Sequence, residues 1–358
     1  MTIFIFLIVL AVLIFVHELG HFLIAKACGI RVDAFAIGFG PKLIKKTIGE
    51  VTYSLNLIPF GGYVKIFGEN PDDESIQGPD KARSFVHKPK WQQILVLFAG
   101  IFFNFIFAWI LITTAFVSGV PTSVDSYPEY RDQMKDSHIA ITFINPGSPA
   151  EKGGLKAGDT ILGVNSLEQL QEKINSSGTN GVEINYLRND IESKATIIAE
   201  KGIVEGKYAI GIAMDNIATL QLPIHKAVIE GVRLTLHMIV ATISGIYDLL
   251  MGMFNGTAEL SSVTGPVGIA GLIGDAAKIG FTYLVMFTAI ISINLGVLNL
   301  VPFPALDGGR ILFVFIEAII RRPIKPAIAN TVNAIGFSLL ILLMIVVTYR
   351  DIVKLFVK

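Results

Sequence analysis

His17, Glu18 and His21 form an HExxH sequence inside an apolar run of membrane length. Residues Thr2 to Val16 carry no charge, and Phe22-Leu23-Ile24-Ala25 follow the motif before Lys26. On a helix, positions four apart share a face, so both imidazoles reach a single metal ion. Glu18 stands one residue on from His17, close enough for its carboxylate to take a proton from water at that metal. Hydrolysis needs water, and this motif is written into hydrocarbon. Ionisable side chains inside a span are costly and are retained for function, so two incidental histidines on an ordinary helix fit poorly.

Two imidazoles leave a catalytic zinc one protein ligand short. A third histidine ten residues after the first would complete one known pattern, but Ala27 stands there. The carboxylates available in apolar surroundings are Asp307 and Glu317. Asp307 lies in Asn299-Leu300-Val301-Pro302-Phe303-Pro304-Ala305-Leu306-Asp307-Gly308-Gly309. Two prolines two residues apart break a span, and the glycines after Asp307 allow a tight turn. A broken helix puts free backbone and a side chain into an interior cavity. Glu317 falls on a continuing helical run and suits an ion-paired or interfacial carboxylate, so Asp307 is favoured as the third ligand. His17 lies about 22 Å along its helix at 1.5 Å per residue, past mid-membrane, and Asp307 lies at the inner end of its own span. Asn299 has two open roles: donating to a substrate backbone or developing oxyanion, or tying off a carbonyl freed by the prolines. Asn104, in a small-residue face with Gly100 and Ala108, reads as helix packing.

The elements that must position these residues are membrane helices. The chain is 52% hydrophobic and 16% charged, which is membrane composition. Net charge is zero, which gives no pointer to nucleic acid, and the single cysteine, Cys28, excludes an intramolecular disulfide. Without a basic n-region or a cleavage site, the first apolar run reads as a retained span and not a signal peptide. The division expected is a first transmembrane helix with HExxH at 1–28 and a cytosolic, membrane-associated β region at 29–92. A second span follows at 93–118, then a domain of soluble composition at 122–216. An amphipathic surface helix and linker occupy 217–280, a third span with the proline-rich motif 281–310, and a loop with the fourth span 311–358. The 224–254 segment carries Glu230, Arg233, His237 and Asp248 on a helical stripe pattern, hence the surface assignment. Parity agrees: the metal site closes only if the first and third spans run parallel. Lys42, Lys45, Lys46, Lys65, Lys81, Arg83, Lys88 and Lys90 place the 29–90 loop inside, and Arg310, Arg321, Arg322 and Lys325 place the later loop inside too. The N-terminus and the 122–216 domain are then outside.

HExxH together with NxxPxPxLDGG resembles the site-2 protease class of zinc intramembrane metalloproteases, in particular the bacterial branch that cleaves membrane-bound anti-sigma factors. Gly38-Phe39-Gly40-Pro41, Pro59-Phe60-Gly61-Gly62-Tyr63-Val64-Lys65, Gly100-Ile101-Phe102-Phe103-Asn104-Phe105 and Gly265-Pro266-Val267-Gly268-Ile269 are similar to further segments of that branch. The resemblance implies one zinc ion per chain on His17, His21 and Asp307, with Glu18 activating water. It implies an enzyme of the bacterial cytoplasmic membrane acting on single-span membrane proteins or leftover signal peptides within the lipid bilayer. The alternating 51–57 stretch, within a hairpin arm at 47–68, suggests a sheet edge that pairs with an unwound substrate. Tyr53, Leu55, Leu57, Gly61 and Gly62 are the candidate substrate contacts.

Ile144-Asn-Pro-Gly-Ser-Pro-Ala-Glu-Lys-Gly-Gly-Leu155-Lys-Ala-Gly158-Asp159-Thr-Ile-Leu-Gly-Val164-Asn165 resembles a PDZ domain. The expected fold is thus a polytopic α-helical membrane protein of four transmembrane helices, with a membrane-associated β-hairpin region and one extracytoplasmic PDZ domain. That domain acts as a size filter or as a peptide binder. Two other function classes remain to be separated: a non-catalytic membrane adaptor with a structural metal, and a metal transporter. The intact Glu18 speaks against the first, and the absence of a polar relay across the spans against the second.

Overall fold

A computed structural model of the chain describes residues 1–70, 72–164, 166–188, 191–204, 206–256 and 264–356. In chain order it opens with α1 (Thr2–Ala27), β1 (Val32–Ile48), β2 (Val51–Ile66), the short α2 (Asp73–Gln77) and α3 (Lys90–Ser118). Next come β3 (Val120–Ser123), β4 (Met134–Ile144), α4 (Pro149–Lys152), β5 (Thr160–Leu162), α5 (Leu167–Ser177), β6 (Val182–Arg188), β7 (Ile191–Ile197), β8 (Glu200–Val204), β9 (Lys207–Ala209) and β10 (Ile212–Leu220). The chain ends with α6 (Ile224–Asn255), α7 (Pro266–Ile279), α8 (Phe281–Leu300), α9 (Asp307–Ile320) and α10 (Pro326–Phe356). It divides into two compact units, residues 1–115 with 225–358, and residues 116–224.

In the first unit, five of the described helices are long and apolar enough to cross a membrane: α1, α3, α6, α8 and α10. That is one more candidate than the four expected, and the addition is α6. Trp109 of α3 donates to Val228 O, and Thr242 of α6 donates to Asn294 of α8 at 3.1 Å. Asn294 lies about 20 Å along α8 at 1.5 Å per residue. The last part of the 217–280 linker, residues 257–263, lies outside the described residues. α7 packs on α1, where Gly274 meets Thr2 so closely that a side chain would not fit. Its N-terminus is capped from α10, because Asp351 accepts from the backbone N–H groups of Gly265 and Gly268. Gly265 and Gly268 are glycines where a Cβ would crowd that carboxylate.

Among the described residues, the sheet of this unit is made by β1 and β2. Their pairing is antiparallel about the Gly49-Glu50 turn, from Ile48 with Val51 to Lys42 with Asn56. Both strands then bend, and Ala34–Ile37 comes to lie between two parts of β2. It runs in register with Thr52–Leu55 on one side and antiparallel to Gly62–Lys65 on the other. The spatial order is therefore 62–66, 32–37, 51–55, 42–48, and the outer edges are the first and last of these. Val32, Phe35, Val51, Val64 and Ile66 pack against Ala25, Val96 and Val314, which seats the sheet under α1, α3 and α9.

In the second unit, six strands form one sheet in the order β3-β10-β4-β5-β6-β7. Leu170 and Ile174 of α5 close its core over Ile139, Ile141, Ile161 and Ile184. The Asp159 carboxylate, 1% exposed, takes two hydrogen bonds from Arg188 at 2.7 Å, and that contact holds the guanidinium above its ordinary pKa. Asn165, the last residue of the motif read in the sequence, lies outside the described residues.

Candidate active site

α1 is a continuous helix because its residues are apolar and lack proline; Gly20 is its one glycine, and it marks a helix crossing. A Cβ on Gly20 would lie 2.5 Å from Ala99 O, so α3 passes against α1 with backbone almost touching backbone. At that crossing Gly100 leaves room for both imidazoles: its Cβ would fall 2.3 Å from His21 Nε2 and 2.8 Å from His17 Cε1. His21 Nδ1 lies 2.8 Å from Val96 O. A carbonyl only accepts, so Nδ1 carries the proton and Nε2 presents a lone pair. His17 Nδ1 faces the Asn104 side-chain amide at 3.2 Å.

Asp307 arrives from the opposite side. α8 stops at Leu300 because Pro302 and Pro304 cannot continue it, and residues 301–306 form an irregular loop. Ala305 has φ 75°, the left-handed region that costs a residue with a Cβ about 1–2 kcal/mol. Its N–H is held by Asn333 of α10 at 3.2 Å. Gly308 and Gly309 do not have positive φ, so the tight turn expected of them is not their purpose. They begin α9, and a Cβ on either would meet carbonyl oxygens of the returning chain: Leu300 O at 2.3 Å and Phe303 O at 2.2 Å.

The two halves meet at one point. His17 Nε2 lies 3.0 Å and His21 Nε2 3.4 Å from Asp307 Oδ2, and the two Nε2 atoms are 3.2 Å apart. His17, His21 and Asp307 are the one such cluster among the described residues. Asp307 Oδ2 is buried with no hydrogen bond of proper geometry. The three atoms lie 3.0–3.4 Å from one another, close enough for one cation to touch all of them. Tetrahedral zinc with bonds of about 2.0–2.1 Å sets its ligand atoms roughly 3.3 Å apart, so the donor set fits zinc. Glu317 is elsewhere, ion-paired with Lys90 at 2.5 Å and accepting from Ile324 N–H at 2.8 Å.

Glu18 faces a cavity of about 420 Å³ that includes all three cluster residues. Its far wall is polar: Arg31, Asp33, Glu69, Asn70, Asp72 and Glu74. Asp33, with Asp80 behind it, holds the Arg31 guanidinium above its ordinary pKa. Arg310, one turn beyond Asp307, pairs with Glu69 across the cavity. Such a lining lets water stand beside Glu18 although the helix around it is apolar.

Residues 5–343 match the profile of Peptidase family M50. The chain belongs to that family. A Clostridium perfringens protein named "Putative zinc metalloprotease" is 36% identical over 357 residues, covering 97% of each chain. The Bacillus subtilis protein named "Regulator of sigma-W protease RasP" is 29% identical over 436 residues, covering 99% of each. This M50 chain is a zinc metalloprotease of the site-2 type.

Of the substrate contacts expected in this M50 chain, Gly62 alone lines the cavity. A Cβ there would meet Ala36 O and Glu18, and the next-but-one amide, Val64 N–H, reaches the Glu18 carboxylate. The strand edge beside the metal cluster is therefore Gly62–Ile66. Tyr53 and Leu55 sit on the inner 51–55 strand, where Tyr53 packs on Phe22 and Phe35. Leu57 is exposed away from the cavity, and Gly61 is pressed on the Phe39 ring. Strand alternation identified the sheet but not its edge, because the edge is set by the bend that lets β2 flank β1 twice. Asn299 is half-buried near the end of α8 and does not line the cavity. Sequence reading missed Val96 as an anchor for His21 and Glu69 as the partner of Arg310. Neither has a local signal, since each meets its partner through helix or loop packing.

Proposed function

We propose that this M50 zinc metalloprotease is an endopeptidase that cuts transmembrane segments of single-span proteins inside the bilayer. One observation carries the reading: His17 Nε2, His21 Nε2 and Asp307 Oδ2 converge at 3.0–3.4 Å beside Glu18. His17, His21 and Asp307 would hold one zinc ion, which supplies, when bound, a Lewis acid that polarises a carbonyl and acidifies water. Glu18 takes the proton of the attacking water and returns it to the leaving amine. The polar cavity admits that water. The Gly62–Ile66 edge pairs with the substrate backbone by strand addition, which keeps the scissile peptide extended and its carbonyl exposed. A helical substrate must unwind for this, and a free strand edge compensates the backbone hydrogen bonds it gives up. Asn299 keeps its two proposed roles, donation to a substrate backbone or tying off a carbonyl freed by the prolines, and its place outside the cavity lining gives the first no support.

For the membrane arrangement, α1 and α8 run parallel, since their C-terminal ends both reach the metal cluster. The contacts of α6 well along α3 and α8 favour a helix that enters the membrane and not one lying flat. α7 does not cross: its first turn is capped by Asp351 near the end of α10 and its middle meets Thr2 at the start of α1, so the 224–279 segment begins and ends on the outer side, which keeps the parity the site requires. The basic loops favour a catalytic side in the cytosol of a bacterium, with the 122–216 domain outside. That outer unit is read as a single PDZ domain that filters substrates by the size of their outer parts, with peptide binding as its other use.

The test is Glu18→Gln. The variant retains stoichiometric zinc and wild-type thermal stability but leaves a purified single-span substrate uncut. Co-purifying peptides trapped by it carry one hydrophobic segment each. Normal cleavage by Glu18→Gln removes the mechanism.

A further inference from the structure

We propose that Asn104 is a positioning residue of the metal centre: its side-chain oxygen accepts the Nδ1–H of His17 and turns the opposite ring nitrogen toward the metal. The inference rests on the metal reading above and extends it to a residue on another helix. Asn104 is fully buried, and its Nδ2 stands 3.2 Å from His17 Nδ1. In that orientation the Asn104 Oδ1 has no hydrogen-bond partner among the described residues. A half-turn of the amide changes no heavy-atom position and puts the oxygen on His17 Nδ1. It places on His17 Nδ1 the acceptor that a ring bound through Nε2 needs.

The arrangement has a counterpart one turn of α3 away on either side of Gly100. His21 already donates its Nδ1–H to Val96 O. Val96, Gly100 and Asn104 are four apart, so they share one face of α3. The first fixes one imidazole, the second leaves space for both, and the third fixes the other. Ser292 of α8 donates to the main-chain oxygen of Asn104 at 2.8 Å, which holds this turn of α3 whatever side chain residue 104 carries. Packing alone would need only a small residue at 104. Ring positioning needs an acceptor.

The experiment compares Asn104→Ala and Asn104→Asp with the wild type by zinc affinity in chelator competition, and records the unfolding midpoint of each metal-free protein. His17→Ala serves as the control for the site itself. Asn104→Ala lowers zinc affinity roughly 10–100-fold, Asn104→Asp restores it, and the metal-free midpoints stay together. Wild-type affinity in Asn104→Ala overturns the proposal, and so does an equal loss in both variants. Should Asn104→Ala not fold, histidine NMR of the zinc-loaded wild type decides. It shows a hydrogen-bonded, downfield Nδ1 proton for both motif histidines, and a single such proton overturns the assignment. A wild type that binds zinc no better than His17→Ala would instead discredit the metal reading, which keeps the two failures distinct.

Discussion

The two halves of the metal centre are built in opposite ways. The imidazole half is one unbroken helix, and its geometry follows from helical periodicity within five residues, His17 to His21. The carboxylate half is a loop between α8 and α9, with two prolines, a left-handed alanine and two glycines pressed on carbonyl oxygens. The helix half needs only a neighbour to fix its rings. The loop half needs its conformation imposed, by Asn333 on Ala305 N–H and by Gly336, whose Cβ would meet the backbone of Pro304. Regular structure carries its own geometry, whereas irregular structure borrows it from the elements packed around it.

Three outcomes would sharpen or break this contrast. The largest effect is expected from removing a ligand on either side. His17→Ala and Asp307→Ala both lose zinc by elemental analysis and lose cleavage to background. Retention of full zinc by Asp307→Ala alone would mean that the loop half is not a ligand. Next comes Gly309→Ala, where the added Cβ would fall 2.2 Å from Phe303 O. Overpacking of that kind costs on the order of 1–3 kcal/mol, and here it displaces the Asp307 turn, so zinc content drops with the unfolding midpoint. An unchanged midpoint and zinc content would show that the loop yields more easily than its backbone contacts imply. The smallest effect belongs to Asn333→Ala, which removes one hydrogen bond worth about 1 kcal/mol. Its cleavage rate falls more than its zinc content, because the imidazoles still hold the ion while the loop loosens. Equal losses in both readouts would place Asn333 in general stability instead.

Much of this site was legible because each half has a local signature. HExxH points to two candidate ligands and a candidate proton acceptor, and two prolines before Asp307 announce the break that ends α8 at Leu300. The β region was legible as a sheet from the alternation in Val51–Leu57, but the strand that borders the cavity was not. Tyr53 and Leu55 carry the pattern, yet they lie inside the sheet, and Gly62–Ile66 forms the edge at the cavity. Alternation reports which face a side chain takes and says nothing about which strand is outermost. The surface assignment of 224–254 rests on its stripe of apolar residues, on the parity of the spans and on four polar positions, Glu230, Arg233, His237 and Asp248. Of these, Glu230 is paired with Arg233 at 3.0 Å and buried, which lowers the cost of charge in an apolar helix.

The sequence by itself determined the candidate chemistry of this protein: two imidazoles and a carboxylate proposed as metal ligands, a glutamate proposed to move a proton, and an apolar setting for all of them. Those features are short in range, written in helical spacing and in residues that break helices. The tertiary structure decided what surrounds that chemistry: α3 as the rack for both imidazoles, Gly62–Ile66 as the strand beside Glu18, and the Arg310–Glu69 pair across the water-facing cavity. Each of these joins residues tens to hundreds of positions apart, and helix crossings and strand bends, which no local period encodes, bring them together.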